Sequence, residues 1–212
     1  MTNFEYERLH HNLKLLKLRT FESILDNYLE IAAKEKRSIE ILDYLVDREL
    51  ESKECRSLAL RTRKAGFPME KRLDDFDFGF QPSLDKSVIN EIDSLKFIHN
   101  AENVVLLGPP GVGKTHLAIA LGIEAVRAGF RVQFANASAL IERLAKADRE
   151  KRLEEMIREL SRFQLIIIDE MGYLPFDDFG AHCFFQLVSR RYERASIIFT
   201  SSKSYGEWGA FW

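Results

Sequence analysis

Residues 108–115 read Gly-Pro-Pro-Gly-Val-Gly-Lys-Thr, a G-x-x-x-x-G-K-[ST] loop. That pattern is chemistry for phosphate. Glycines let a loop close around oxyanions with backbone N–H groups turned inward. A helix starting at the end of the loop adds partial positive charge at the same place. Nucleotide binding is therefore assigned to Gly108, Pro109, Pro110, Gly111, Val112, Gly113, Lys114 and Thr115, with the adjoining His116. Lys114 is expected to bridge the β- and γ-phosphates of ATP, and Thr115 to offer its hydroxyl to Mg²⁺.

A second cluster of chemical groups follows some fifty residues later. Leu165-Ile166-Ile167-Ile168 is an apolar run that ends in Asp169 and Glu170. A carboxylate at the end of a buried strand, beside a phosphate loop, can hold Mg²⁺ through water, and this role goes to Asp169. Glu170 is the natural base for an attacking water. Such a pair favours hydrolysis over transfer to a small-molecule acceptor, which would require water to be kept out. A third run, Ile197-Ile198-Phe199, ends in Thr200-Ser201-Ser202. Ser202 is the candidate to touch the γ-phosphate or the lytic water, and a plain Ser/Thr turn is the alternative. Phe76 and Phe78, just upstream, are candidates to pack on the adenine base. The alternative is that both enter the core.

These groups need a scaffold that brings three strand ends together. Strands are predicted at Val104–Leu107, Arg131–Ala135, Leu165–Asp169 and Ser196–Thr200. Continuous apolar runs suit parallel strands buried on both faces. Helices are predicted between them, at Lys114–Ala128, Ser138–Ala147, Arg149–Arg162 and Gly180–Glu193, with Gly129 as a C-cap. Alternation of this kind defines an α/β domain with a parallel sheet and helices on both faces. Residues 1–65 contain neither Gly nor Pro and carry apolar residues at helical spacing, so two or three helices are expected there. The division predicted is a helical domain over 1–68, docking a partner or DNA, and an ATP-binding core over 69–212.

Composition narrows the class further. The 212 residues are 46% hydrophobic and 30% charged, which excludes a disordered or collagen-like chain. The net charge is −2, so any surface for nucleic acid must be local. Residues 53–72 supply one, with seven Lys and Arg against two Glu. DNA contact is assigned there to Arg56, Arg61, Arg63 and Lys64, and in the helical segment Ser138–Arg152 to Arg149 and Arg152, all to phosphates. Cys55 and Cys183 are expected to be reduced, buried thiols. No apolar run approaches the roughly 20 residues of a membrane span, and the N-terminus lacks a signal-peptide core. A cytoplasmic protein without membrane contact is expected.

Several stretches together carry a family resemblance. Glu102–Leu107 leads into GPPGVGKTHLA, LIIIDEMGYLP follows, RRYER precedes IIFTSS, and Ser204–Trp208 reads SYGEW. In these the chain resembles the IstB-type helper ATPases of insertion sequences, which are similar to DnaC-type helicase loaders. The resemblance spans nearly the whole chain. It implies an AAA+ P-loop ATPase that assembles on double-stranded DNA with ATP and presents the target to a cognate transposase. It also implies self-association, with ATP between protomers and an arginine supplied in trans, and a sheet ordered 5-1-4-3-2. The family usually has Asn where Ser202 stands. Family members also continue for several tens of residues past Trp212, so the fifth strand, a helix and the arginines acting in trans are expected to be missing. None of Arg190, Arg191 and Arg194 is assigned the trans role. Two other readings stay open: a helicase loader on the same core, and a remnant that binds nucleotide without efficient turnover.

Overall fold

The computed structural model describes residues 3–35, 38–80, 84–172 and 177–208. The chain divides into two compact units, residues 1–59 and 60–212. Unit 1 contains α1 (Asn3–Leu15), α2 (Arg19–Glu35) and the first part of α3 (Ser38–Ala65). Its core gathers Leu13, Phe21, Leu25, Ile41 and Leu45, one or two residues from each helix facing inward. Glu49 fixes the start of α2: its buried carboxylate accepts hydrogen bonds from the backbone N–H of Thr20 (2.8 Å) and Phe21 (2.9 Å). These are donors that a helix start leaves unmatched.

The helical stretch up to Gly66 continues through the division between the units rather than ending at it. Gly66 and Pro68 stop the helix, yet the last turn of α3 already belongs to unit 2. Ala65 is fully buried, Gln133 Nε2 donates to its carbonyl (3.4 Å), and the Phe67 and Phe134 rings lie 6.3 Å apart.

Unit 2 continues with α4 (Lys86–Asp93), α5 (Lys96–His99), β1 (Val104–Leu107), α6 (Lys114–Arg127), β2 (Val132–Asn136) and α7 (Ala137–Arg149). Then come α8 (Leu153–Leu160), β3 (Leu165–Met171), α9 (Asp178–Arg191), β4 (Ser196–Ser201) and the single turn α10 (Tyr205–Trp208). Among the described residues the sheet is four-stranded, parallel, and ordered β1-β4-β3-β2. Side chains alternate faces along β3. Ile166 and Ile168 join Leu140, Leu144, Ile157, Phe184 and Leu187 of α7, α8 and α9. Ile167 points the other way, and its Cδ1 would lie 2.5 Å from a Cβ at Gly122, so α6 packs closely on that face.

The two predicted helices between β2 and β3 differ from their expected bounds for a local reason. Arg149 closes α7, and Lys151 turns the chain at φ +59° before α8 begins at Leu153. Cys183 is buried as expected, but Cys55 is exposed, on the solvent side of α3. Among the described residues no helix is long and apolar enough to cross a membrane.

Candidate functional site

The loop after β1 makes its turns at positive φ, +82° at Gly111 and +90° at Gly113. A Cβ at Gly111 would meet nothing within 4 Å, so the loop faces open space there. At Gly113 a Cβ would lie 2.5 Å from Phe76 Cε2, so the loop rests directly on that ring. α6 starts at Gly113 without a side-chain cap, which leaves its first N–H groups available to an anion. Lys114 Nζ donates to the carbonyls of Gly108 and Pro109, both at 2.8 Å. Partial burial holds its ammonium below the usual lysine range, and the nearby Asp169 carboxylate pulls the other way.

Asp169 is buried, and one of its oxygens is a meeting point. Asp169 Oδ1 accepts from Thr115 Oγ1 (2.8 Å) and from Thr200 Oγ1 (2.5 Å). The first and third strand motifs are thus joined to the second through a single carboxylate. Two hard oxygens from Thr115 and Asp169 suit Mg²⁺, the ion expected there.

Glu170 is separated from Asp169 by a bulge. Ile168 pairs with Phe199 and Met171 with Ser201, so β3 carries one residue more than β4 over that interval. Glu170 takes up the excess at φ +61°, and its N–H donates to Thr200 Oγ1 (3.0 Å). The bulge turns its side chain out to solvent while Asp169 stays buried. Glu170 Oε2 accepts from Asn136 Nδ2 (2.7 Å), at the end of β2. The other end of that amide caps α7, accepting from Ser138 N at 3.1 Å and Ala139 N at 3.4 Å.

Thr200 and Asn136 therefore belong to the site, although sequence reasoning did not single them out. Each had a signal: Thr200 is the first hydroxyl in the third run, and Asn136 is an N-cap residue between a strand and a helix. Ser202 is exposed, just beyond β4. The preceding Ser201 pairs with Leu107, and its carbonyl accepts from Gly108 N (3.3 Å), so Ser202 sits next to the loop's base.

The remaining candidates fall in several places. His116 bonds the Arg72 carbonyl (2.9 Å) and meets Phe76 edge-on at 5.5 Å, so it fastens the preceding segment to α6. Phe76 is buried with Ile89 and Leu117, and Phe78 packs against that cluster with Lys86 over its ring. Neither ring lines the cavity of about 450 Å³ that opens beside the loop, whose walls include Val88, Ile89 and Ile92. Phe76 is thus buried, while Phe78 is only partly buried at the margin of that cluster. Arg56 pairs with Glu49 (3.1 Å) and Arg152 with Glu150, while the Arg149 guanidinium lies over the Phe179 ring at 5.6 Å. Arg61 is half-buried, and Arg63 and Lys64 are exposed.

Arg191 is closed to any role in trans. It is 1% exposed and donates to the carbonyls of Leu160, Phe163, Gln164 and Ser196. Burial pushes its guanidinium down to about 10, which leaves it a cation at neutral pH. Arg190 faces Glu154 at 3.3 Å, and Arg194 is exposed.

A parallel sheet with its glycine loop after β1, and an aspartate at the end of β3 tied to the loop's threonine, defines a P-loop nucleotide-binding core. The chain belongs to the IstB-like ATP-binding protein family, which it matches over residues 11–212. It is 46% identical over 198 residues to a protein named as the ATP-binding protein of insertion sequence IS21 from Pseudomonas aeruginosa, covering 93% of this chain and 75% of that one. It is 42% identical over 204 residues to the corresponding protein of insertion sequence IS5376 from Geobacillus stearothermophilus, covering 96% and 81%. In fold it is similar to AMPPCP-bound DnaA from Aquifex aeolicus, with TM-score 0.56 and 24% identity over 65% of this chain and 43% of that one.

Proposed function

We propose that the chain hydrolyses ATP and uses the cycle to help a transposase act on double-stranded DNA, in target selection and in stimulating the transposase. The observation that carries the ATPase reading is the convergence of Thr115 and Thr200 on Asp169 Oδ1, with Glu170 thrown outward by the adjoining bulge. The names of the relatives, ATP-binding proteins of insertion sequences, support the biological setting.

In this reading the loop amides and Lys114 bind and orient the phosphates. Thr115 and Asp169 would hold Mg²⁺, which when bound neutralises phosphate charge. Glu170 takes a proton from the attacking water, and Asn136 positions its carboxylate. Ser202, at the end of β4, is proposed to reach toward the γ-phosphate. The helical N-terminal region docks the partner or DNA. Assembly into an ATP-bridged oligomer supplies the arginine in trans, and the protein works in the cytoplasm.

The test is phosphate release by the parent chain and by Glu170→Gln, with and without duplex DNA. The parent should turn over ATP faster with DNA. The variant should bind a fluorescent ATP analogue as the parent does and release no phosphate. If the variant loses binding while turnover per bound ATP survives, Asp169 and Glu170 have been given the wrong roles.

A further inference from the structure

Unit 2 has a second concavity at the opposite edge of its sheet. A groove of about 810 Å³ opens where β2 and β3 begin, at Val132 and Gln164. The strands are parallel and the phosphate loop follows their carboxyl ends. The seven residues of β3, at about 3.3 Å each, put the groove roughly 20 Å from the nucleotide site. It has no part in binding ATP.

Its rim is cationic. Arg61 and Lys64 come from the end of α3, Arg131 precedes β2, Arg143 stands on α7 and Arg162 follows α8, against the single carboxylate of Glu159. Some basic residues elsewhere are paired: Arg56, Arg152 and Arg190 each face a glutamate. Among the described residues Lys64, Arg143 and Arg162 form no ion pair, and all three are exposed. Arg131 is held in place, its backbone N–H and its Nε both donating to Gln164 Oε1 at 2.8 and 3.3 Å. Gathering five cations and one carboxylate around one concavity raises the local potential and attracts a polyanion. Guanidinium groups suit phosphate oxygens because their donors form a planar fork.

We propose that this groove binds the phosphate backbone of duplex DNA. The inference rests on the reading that the chain acts on DNA, and it names the surface, including Arg131, Arg143 and Arg162. Contacts to phosphates fix position and carry no sequence information. Binding through this groove is therefore strongly salt-dependent and indifferent to sequence.

The experiment uses the full chain and short fluorescein-labelled duplexes of two unrelated sequences, with anisotropy titrations over a salt series. In Arg143→Gln/Arg162→Gln the affinity should fall by the same factor on both duplexes. The slope of log K against log salt should shrink by about 1.8, since each lost phosphate contact is worth about 0.9. Unchanged binding of a fluorescent ATP analogue shows that the variant is folded; if it is not, Arg131→Gln takes its place, with about half that change in slope. A parent that binds duplex and a variant with the same affinity and slope overturn the groove and leave the ATPase reading standing. A parent that binds no duplex at low salt overturns both the groove and the DNA part of the proposed function. Competition by polyglutamate as effective as by unlabelled duplex, at equal charge, overturns the assignment to nucleic acid.

Discussion

Replacing Thr200 by valine tests whether its hydroxyl holds the catalytic strand ends together. Thr200 is 1% exposed, donates to Asp169 Oδ1 at 2.5 Å and accepts from Glu170 N at 3.0 Å. Valine has nearly the same shape, so no cavity forms and the change isolates the hydroxyl. A hydrogen bond to a charged group contributes about 1.5–3 kcal/mol, and a buried N–H left unmatched costs about 1–3 kcal/mol. The two losses share one atom and do not simply add, so the expected destabilisation is about 3 kcal/mol. For a chain of this size that lowers the melting temperature by roughly 6–12 °C. Thr200→Ser is the control: it keeps the hydroxyl and loses one methyl, about 0.8 kcal/mol. The account therefore orders stability as parent, then Ser, then Val. An account based only on apolar burial orders Val above Ser. Thermal unfolding followed by circular dichroism decides between them, and a valine variant as stable as the parent, or more stable than the serine variant, refutes the reasoning. Turnover should fall in the valine variant as well, because the bulge that aims Glu170 loses its tie.

Other expectations concern separate parts of the chain. Burial pushes the Glu49 carboxyl up, but the N–H groups of Phe21 and Thr20 and the Arg56 guanidinium outweigh it and hold the group below its ordinary 4.5. Its folded pKa is thus below its unfolded one, so its stabilisation is present above pH 4.5 and lost as pH falls through the folded value. Glu49→Gln should be less stable at neutral pH and show a flatter acid limb in helix content; identical pH profiles would count against the cap. Arg191→Met strips four carbonyls of their donor and should cost about 3 kcal/mol or more in urea unfolding. A loss under about 1 kcal/mol would mean that water replaces the guanidinium. Gly113→Ala should destabilise more than Gly111→Ala, since only the former drives a Cβ to 2.5 Å from Phe76 while both carry the strain of positive φ. Equal melting temperatures for the two variants would contradict the support given to the loop by Phe76.

Much of the nucleotide site was legible because its residue types are dictated by local chemistry. The glycines, Lys114 and Thr115 lie consecutively between a strand and a helix, and β1 runs over Val104–Leu107 as its apolar run predicts. The order β1-β4-β3-β2 is the described part of the order implied by the family resemblance. What the sequence concealed depends on register. The extra residue at Glu170 exists only relative to β4, and no pattern within β3 announces it. Thr200 bonds Asp169 because it lies within β4 beside the end of β3, whereas Ser202 lies past the end of β4, and this too needs the pairing. Within the basic run around Arg56 the pairing of individual cations was likewise not legible. Charge in a sequence window does not show which cations already face a carboxylate, as Arg56 does at Glu49.

The claim on which the account stands is that the loop closes on the phosphates of ATP, and Lys114→Ala tests it directly. Lys114 Nζ rests on the Gly108 and Pro109 carbonyls beside Asp169, and its ammonium has no apolar role in the loop. The measurement is titration of parent and variant with a fluorescent ATP analogue and Mg²⁺, with circular dichroism to show that both are folded. A charge-assisted bond of about 1.5–3 kcal/mol predicts an affinity lower by roughly 10- to 150-fold in the variant. Equal affinity in two folded proteins would contradict the account.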